Sequence, residues 1–443
     1  MINDSVKIGS GIFQRFWKKH FRKGSFLRNL SIVMSGTAIA QLIGFALMPV
    51  ISRLFSPTDF GVFGSYNSVL GVITAIVTLQ YTQAIMLPRG KIEALNLFFA
   101  ACISVAAITV LCLLTGIVAP DIIRNLIKVE AWWFVPLLAI SALAFGLHQT
   151  LQAWCVRIKA FAETSRAQIV QSLASVSIWL MSGLLQAGAV GLILGSVVSQ
   201  FIASLKLWNV FKKDLDQAGY FFHWHNVKAT SLEYRDFPLY SAPQNLMNAL
   251  SQGLPVLLLG HFYGIAIAGA YAFGMKILHL PTNFILRPLR QVLFQKASEV
   301  DNLGQDIQPL FVKSTCGLML LAALPTIIIF VWAPRFFPWI FGKEWLTAGI
   351  YVRWLILWIF ISFSNVPAVL FARILRQQRN LFFFECLILS SRTIILVAGG
   401  IYWDALRTII AFSILGFLLN LTLILWIWVL VCRRTVIKAD NGI

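Results

Sequence analysis

The sequence is poor in charged residues, and acidic residues are the scarcest of them. Only 12% of the 443 residues are Asp, Glu, Lys or Arg, with 17 acidic side chains against 36 basic ones. Soluble domains carry about twice that share of charge. Hydrophobic residues make up 58% of the chain, and the mean hydropathy is +0.79. So little polar surface cannot cover a water-facing globule of this length, which excludes a soluble enzyme and leaves a polytopic membrane protein.

The motifs of several enzyme and pump classes are absent as well. The six cysteines stand singly, with no C-x-x-C pair and no histidine at zinc spacing, so no disulfide or metal framework is indicated. No G-x-x-x-x-G-K-[ST] phosphate loop occurs, which disfavours an ATP-driven pump. The G-x-S-x-G and H-E-x-x-H motifs of hydrolases are missing too. The sequence therefore predicts neither a cofactor nor a bound metal.

Twelve hydrophobic stretches are long enough to cross a bilayer. A hydrocarbon core about 30 Å thick needs roughly 20 helical residues. The stretches that reach this length are Leu30–Ile51, Phe63–Leu87, Leu95–Ala119, Trp132–Trp154, Ile169–Ala187, Val190–Val210, Leu239–Gly260, Ile265–Leu286, Leu310–Ala333, Gly349–Phe371, Leu381–Gly399 and Leu406–Val431. We therefore predict an all-α polytopic membrane protein with about twelve transmembrane helices.

Basic residues gather in alternate loops of this arrangement. Of the 36 Lys and Arg residues, 27 fall in the even-numbered loops and the two tails, seven on the opposite side and two inside spans. Cytoplasmic loops carry such an excess, so both termini are predicted to be cytoplasmic. The net charge of +19 reflects these loops and is not a sign of a nucleic-acid partner.

The pattern divides the chain into five regions. Residues 1–29 place apolar and basic side chains at helical spacing, which predicts a cytoplasmic amphipathic segment on anionic lipid; a disordered basic tail is the alternative. Residues 30–210 form a first lobe of six helices, 211–238 a cytoplasmic linker, 239–432 a second lobe of six helices, and 433–443 a cytoplasmic tail.

The two lobes begin with similar sequences. Gly61 and Phe63 in the first lobe correspond to Gly269 and Tyr271 in the second. Such internal repeats are typical of transporters that alternate between two open states. Chance likeness between two helix junctions is the alternative.

Two basic residues lie at membrane depth, Lys276 in the eighth span and Arg392 in the eleventh. A charged side chain at the centre of a span costs about 2.5–3.5 kcal/mol on insertion scales, so it usually has a function. No Asp or Glu lies near the centre of any span, and Glu385 comes nearest. A cationic membrane interior favours an anionic substrate such as a phosphate or pyrophosphate group. Snorkelling, or binding to backbone carbonyls, is the alternative for both side chains.

Polar side chains within the spans are candidates for contacts with sugar hydroxyl groups. The candidates in the seventh span follow Pro243 and are Gln244, Asn245, Asn248 and Gln252. Gln41 is a further candidate in the first span. Hydrogen bonds between helices are the alternative for each of them.

Several motifs together resemble those of a known family. They are RLFSPTDFG from Arg53, YRDFP from Tyr234, RPLRQVLFQKASE from Arg287, and the single residues Pro243, Pro255, Gly264, Gly269, Tyr271, Lys276 and Pro281. In these motifs, and in length, helix number and orientation, the chain resembles the polysaccharide transporter branch of the multidrug/oligosaccharidyl-lipid/polysaccharide exporter superfamily. That branch includes the O-antigen (Wzx-type) flippases and their relatives in capsule and exopolysaccharide export.

The resemblance implies two pseudo-symmetric six-helix lobes around a central cavity that opens alternately to either side. It implies a flippase in the bacterial inner membrane that translocates an undecaprenyl-diphosphate-linked oligosaccharide unit for O-antigen, capsule or exopolysaccharide synthesis. Lys276 is then expected to receive the diphosphate, with Tyr271 as a further candidate, whereas Arg392 lines the cavity or is structural. The basic candidates at the mouths are Arg53 and Arg353 on the outer side and Arg89 and Arg290 on the inner side.

Two other functions remain open at this point. A drug or small-metabolite antiporter of the same fold is disfavoured because exporters of cationic drugs generally need a buried carboxylate. A membrane glycan polymerase or ligase would need catalytic residues in outer loops, which are short here. We expect a transporter and not an enzyme, with membrane lipid, a polymerase and a chain-length regulator of the same pathway as partners. Coupling to an ion gradient is left open.

Overall fold

The computed structural model describes residues 38–118, 133–303, 305–375 and 377–440, which are helical with short connections and contain no β-strand. The segment at residues 1–29 and the start of the first predicted span lie outside the described residues. We call the end of the bundle with the basic, cytoplasmic loops the inner end, and the opposite end the outer end.

The helices follow the predicted order closely. Those of the first lobe are α1 (Met48–Leu54, preceded by helical residues 38–46), α2 (Pro57–Ile76), α3 (Tyr81–Ala84), α4 (Lys91–Val118), α5 (Phe134–Arg157), α6 (Phe161–Leu184) and α7 (Gly188–Ala218). Those that follow are α8 (Trp224–Glu233), a π-helical turn (Phe237–Ser241), α9 (Ala242–Tyr263), α10 (Ile265–Asn302), α11 (Gln308–Phe341), a 3-10 turn (Lys343–Trp345), α12 (Leu346–Ser364), α13 (Val366–Ile374), α14 (Gln378–Tyr402) and α15 (Ala405–Asp440). With α2 and α3, and α12 and α13, each forming one span, the prediction of twelve spans is confirmed.

Eight of these helical units are long and apolar enough to cross a membrane by themselves. The described part of the first span is too short for that test, and α2, α9 and α10 fall short of the required apolarity. The sequences of these three helices include Gly, Ser, Asn, Gln and Lys residues, which lower their mean hydropathy below that of the other spans. They also face each other across the two lobes, so the most polar helices lie at the centre of the molecule.

The two lobes meet through two glycines at the outer end. A Cβ atom on Gly61 of α2 would collide with the carbonyl oxygen of Ile265, and one on Gly269 of α10 would collide with that of Pro57. The same offset of 208 residues separates 57 from 265 and 61 from 269. Each contact is therefore the mirror of the other, as a two-fold axis between two repeats requires. This geometry is consistent with the predicted internal repeat.

A capping box fixes the start of α2. The Ser56 hydroxyl accepts a hydrogen bond from the Asp59 N–H (3.2 Å), and the Asp59 carboxylate accepts one from the Ser56 N–H (2.9 Å). Pro57 occupies the first helical position, where a missing N–H has no cost. The SPTD sequence therefore starts α2 abruptly and places Gly61 against α10.

We expect Ser56→Ala to lower the stability of the fold by about 1 kcal/mol, because the first turn of α2 loses its side-chain acceptor. The thermal unfolding midpoint of the purified protein in detergent should fall by about 1–3 °C. Ser391→Ala is the matched control, because the Ser391 hydroxyl only donates to carbonyls of its own helix. Equal midpoints for the two variants would contradict the capping role.

An aromatic cluster closes the outer end between the lobes. The ring of Phe60 lies 5.1 Å from that of Phe273 and 5.2 Å from that of Trp345, centroid to centroid. The Trp345 indole donates a hydrogen bond to the Ser52 carbonyl (2.8 Å), and the Ser52 hydroxyl donates to the Phe341 carbonyl (2.9 Å). These contacts join first-lobe to second-lobe residues, so the structure is closed towards the outside.

The second span is broken near its inner end. Leu79 and Gln80 have positive φ angles of 47° and 60°, a conformation that costs a non-glycine residue about 1–2 kcal/mol. The Gln80 amide donates to the Ala75 carbonyl (2.6 Å) and accepts from the Gln83 amide (2.7 Å). These side-chain bonds replace the helical hydrogen bonds that the break removes.

The region between the lobes packs against the inner end of the first lobe. Residues 211–218, which were assigned to a linker, continue α7 as helix. Lys91 of α4 pairs with Asp214 (2.8 Å), and the Asn96 amide donates to the Thr230 hydroxyl of α8 (3.1 Å). The chain between the lobes therefore packs against the first lobe, and the second lobe begins after the π-helical turn that precedes α9.

Candidate functional site

A cavity of about 1120 Å³ lies between the two lobes. Its walls come from α2, α9, α10, α12, α13 and α14, with single contributions from α5 and α15. The lining starts at Phe60 of the outer aromatic cluster and reaches Gln80, Leu286 and Arg290 at the inner end. Because the outer end is closed, the cavity faces inward.

Lys276 lies in the cavity wall on α10. Its ammonium group stands 4.5 Å from the ring centroid of Trp179 and 5.6 Å from that of Phe63. Both rings belong to the first lobe, so this cation–π contact crosses between lobes. Within the described part of the chain, Lys276 forms no ion pair or hydrogen bond. The charge is held by aromatic faces and is available to an anion.

Arg392 lines the same cavity from α14. Its guanidinium carbon lies 4.4 Å from the ring centroid of Trp358 and 5.5 Å from that of Phe412, both in the second lobe. Its Nε atom is buried and has no hydrogen-bond partner among the described residues. The structure therefore places Arg392 in the cavity wall and not in the lipid-facing surface of its helix.

The cavity lining carries more positive than negative charge. Besides Lys276 and Arg392 it contains Arg290 near the inner end, and among the described residues the only acidic one that lines it is Glu385. Glu385 lies seven residues before Arg392, two helical turns nearer the inner end. In the part of the cavity on the outer side of Glu385, the charge of the lining favours an anionic ligand.

The amides of α9 are only partly in the cavity. Asn245, Asn248 and Gln252 line it, and the Gln252 amide donates to the Asn248 oxygen (3.2 Å). Gln244 and Gln41 are not among the lining residues. Pro255 has no N–H for the carbonyl of Ser251 one turn before it, and both residues line the cavity. This wall therefore offers amide groups and a free carbonyl to hydroxyl groups.

Three of the basic candidates lie outside the cavity lining. Arg353 donates to the Phe330 carbonyl (2.8 Å), which has lost its helical donor because residue 334 is a proline. Arg53 donates to the carbonyls of Trp339 (3.3 Å) and Ile340 (3.4 Å) in the last turn of α11. Arg89 is exposed at the inner end. Arg353 and Arg53 thus bind carbonyls that α11 itself leaves unpaired.

Some lining residues were not among the predicted candidates. Trp358, Asn365 and Asn420 face the cavity in the second lobe. The two asparagines were visible in the sequence as amides within apolar spans, which is the signal that could have identified them. Tyr271, a predicted candidate, does line the cavity, although only 3% of its surface is exposed.

Comparison with known proteins gives one family and a common fold. A family model described as "Polysaccharide biosynthesis protein" matches residues 50–350. No curated protein sequence matches the chain. The fold is similar to an inward-facing multidrug resistance MATE family transporter of the MOP superfamily, with a TM-score of 0.69, 13% identity and coverage of 91% of this chain and 98% of the other.

Two further solved structures define the likeness more closely. The lipid II flippase MurJ in an inward closed conformation gives a TM-score of 0.69 at 11% identity, covering 90% of each chain. An outward-facing MATE transporter gives 0.55 at 13% identity, covering 90% of this chain and 96% of the other. The better agreement with inward conformations fits the closed outer end. These matches show that the chain has the fold of the matched transporters.

Proposed function

The chain belongs to the polysaccharide biosynthesis protein family, and on that premise we propose that this multi-pass membrane transporter is a flippase for a lipid-linked oligosaccharide. The proposed substrate is an undecaprenyl-diphosphate-linked repeat unit for O-antigen, capsule or exopolysaccharide synthesis, moved from the cytoplasmic to the outer leaflet of a bacterial inner membrane. The observation that carries this proposal is the unpaired Lys276 ammonium in the wall of the inward-facing cavity.

The charge of the cavity favours this substrate over a cationic drug. The fold is equally similar to a multidrug transporter and to a lipid II flippase, so the fold alone does not discriminate between these substrates. A diphosphate carries at least two negative charges and forms strong charge-assisted hydrogen bonds with Lys and Arg. Lys276 and Arg290 in the described lining suit such an anion.

The amide-rich wall on α9 supports the glycan part of the substrate. Asn245, Asn248 and Gln252 line the cavity and supply donors and acceptors for the hydroxyl groups of a sugar. Arg290, at the inner end of the same cavity, is proposed to meet the headgroup first. No covalent step is required, so the protein itself needs no cofactor.

The sidedness of the lipid-linked unit in a deletion strain tests the proposal. Spheroplasts are treated with an impermeant glycan-oxidising reagent, and surface polymer is stained in parallel. We expect surface polymer to disappear and single lipid-linked units to accumulate in a protected, inner-leaflet pool. Units that are unpolymerised but accessible from outside, or an unchanged polymer, would contradict a flippase.

The antiporter alternative is tested in the same strain. A drug exporter predicts greater susceptibility of the deletion strain to cationic drugs. We expect no change in susceptibility, because the described cavity offers a cation only Glu385 as a charged partner.

A further inference from the structure

Unpaired polar atoms cluster in the second-lobe wall of the cavity. Three cavity-lining side chains each have a buried nitrogen or oxygen atom that lacks a hydrogen-bond partner within the described residues. These three are Trp358 Nε1, Asn365 Oδ1 and Arg392 Nε. Each unpaired buried polar atom costs about 1–3 kcal/mol, so this wall carries polar groups that the packing itself leaves unsatisfied.

The three side chains share one surface. Trp358 and Asn365 are seven residues apart, which places them on the same helix face about 10 Å from each other, with Ser362 between them in the lining. Arg392 on α14 stacks over the Trp358 ring at 4.4 Å. We call Trp358, Asn365 and Arg392, with Phe412 beside them, the second-lobe subsite.

The orientation of the Asn365 amide is set by its neighbours. The Asn420 amide donates to the Gly416 carbonyl (2.7 Å), so its oxygen faces Asn365 and accepts from the Asn365 amide (2.8 Å). The Asn365 oxygen is thereby left as an acceptor without a donor. The part of the subsite that reaches the cavity is the Arg392 guanidinium, which forms no ion pair within the described residues, together with the Trp358 ring.

This combination suits a sugar ring that carries a negative charge. The guanidinium binds a carboxylate or phosphate through charge-assisted hydrogen bonds, and the Trp358 ring beside it packs against the apolar face of a sugar. A neutral sugar would leave the Arg392 charge without a partner at membrane depth. Glu385, two helical turns before Arg392 on α14, forms no ion pair with it within the described residues.

The subsite is separate from the Lys276 site. Lys276 rests on Trp179 and Phe63 of the first lobe, whereas Arg392 rests on Trp358 and Phe412 of the second. We propose that, with Lys276 on the diphosphate, Arg392 binds an acidic sugar within the oligosaccharide, bearing a carboxylate or phosphate substituent. This inference rests on the proposed flippase function and adds the chemical class of its glycan.

Mass spectrometry of the lipid-linked unit from the deletion strain is the first test. We expect at least one carboxylate or phosphate group in the unit besides the diphosphate. A repeat unit of neutral sugars would overturn the inference while leaving the flippase function intact. Absence of any accumulated lipid-linked unit would instead count against the flippase function itself.

Binding to the purified full-length protein in nanodiscs is the second test. The probes are the extracted lipid-linked unit, the same unit after methyl esterification or dephosphorylation of its acidic sugar, and farnesyl diphosphate. We expect neutralisation to weaken binding to the native protein at least tenfold. Arg392→Gln should bind the native and the neutralised unit equally and keep its affinity for farnesyl diphosphate within twofold.

Arg379→Gln is the matched control for the binding test. Arg379 lies on the same helix and also stacks on an aromatic ring, that of Phe383 at 5.9 Å, but it is not part of the cavity lining. Loss of farnesyl diphosphate binding by Arg392→Gln would show that this arginine holds the diphosphate and would overturn the inference. Equal binding of the native and neutralised units to the unaltered protein would overturn it without any variant.

Discussion

Replacing Lys276 by alanine is expected to reduce transport at least tenfold. A hydrogen bond to a charged group contributes about 1.5–3 kcal/mol, and the diphosphate would lose its partner deep in the cavity. The measurement is surface polymer in the deletion strain complemented with each variant. Lys276→Arg should restore part of the activity, because it keeps the charge over Trp179 but presents a planar guanidinium instead of an ammonium group.

The control for this series is Lys313→Ala. Lys313 is exposed on α11 and does not belong to the cavity lining, so its removal should leave polymer production unchanged. Expression and membrane insertion of all variants are compared by immunoblot. Full activity of a well-expressed Lys276→Ala protein would remove Lys276 from the proposed binding site.

Gly269→Leu is expected to stop transport by preventing closure of the outer end. The new side chain would enter the space occupied by the Pro57 carbonyl and the Gly61 backbone. A core clash of this kind costs about 3 kcal/mol, which corresponds to a shift of roughly 100-fold towards conformations with the two helices apart. The variant should therefore be trapped with its cavity open to the outside.

Thiol labelling measures this shift directly. A single cysteine replaces Asn67 in the cavity wall of α2, on a background from which the six natural cysteines have been removed. An impermeant maleimide applied from outside should label the Gly269→Leu protein at least tenfold faster than the parent. Gly317→Leu is the matched control, because a Cβ at Gly317 meets nothing within 4 Å. Equal labelling rates in all three proteins would refute the outer-closure role of the glycine pair.

The positions of the spans could be predicted because hydropathy and the distribution of Lys and Arg act on each segment separately. The eighth predicted span starts at Ile265, as α10 does, but α10 continues to Asn302. The extension is amphipathic, with Leu293 and Ala297 buried, and a hydropathy window does not detect it. The predicted second span starts at Phe63, later than α2 at Pro57, because a hydropathy window does not detect the Ser56–Asp59 capping box.

The candidate site could be predicted only where one residue was unusual by itself. Lys276 and Arg392 stand out as charges within apolar spans, and both line the cavity. Their aromatic partners lie on other helices, and no local pattern distinguishes Trp179 or Trp358 from the remaining tryptophans. The positions of Arg53 and Arg353 depended on which carbonyls α11 leaves free, which only the packing of α11 against its neighbours reveals.

The low apolarity of α2, α9 and α10 has a consequence for biosynthesis. A translocon releases each nascent helix into lipid according to the hydropathy of that helix. The helices α2, α9 and α10 are less apolar than a helix that crosses a membrane by itself. Their polar faces are shielded only when the lobes are assembled, because α2 packs on both α9 and α10. We therefore expect α9 and α10 to remain at the translocon until the apolar α11 has been synthesised, so that the polarity needed for transport delays integration into the membrane.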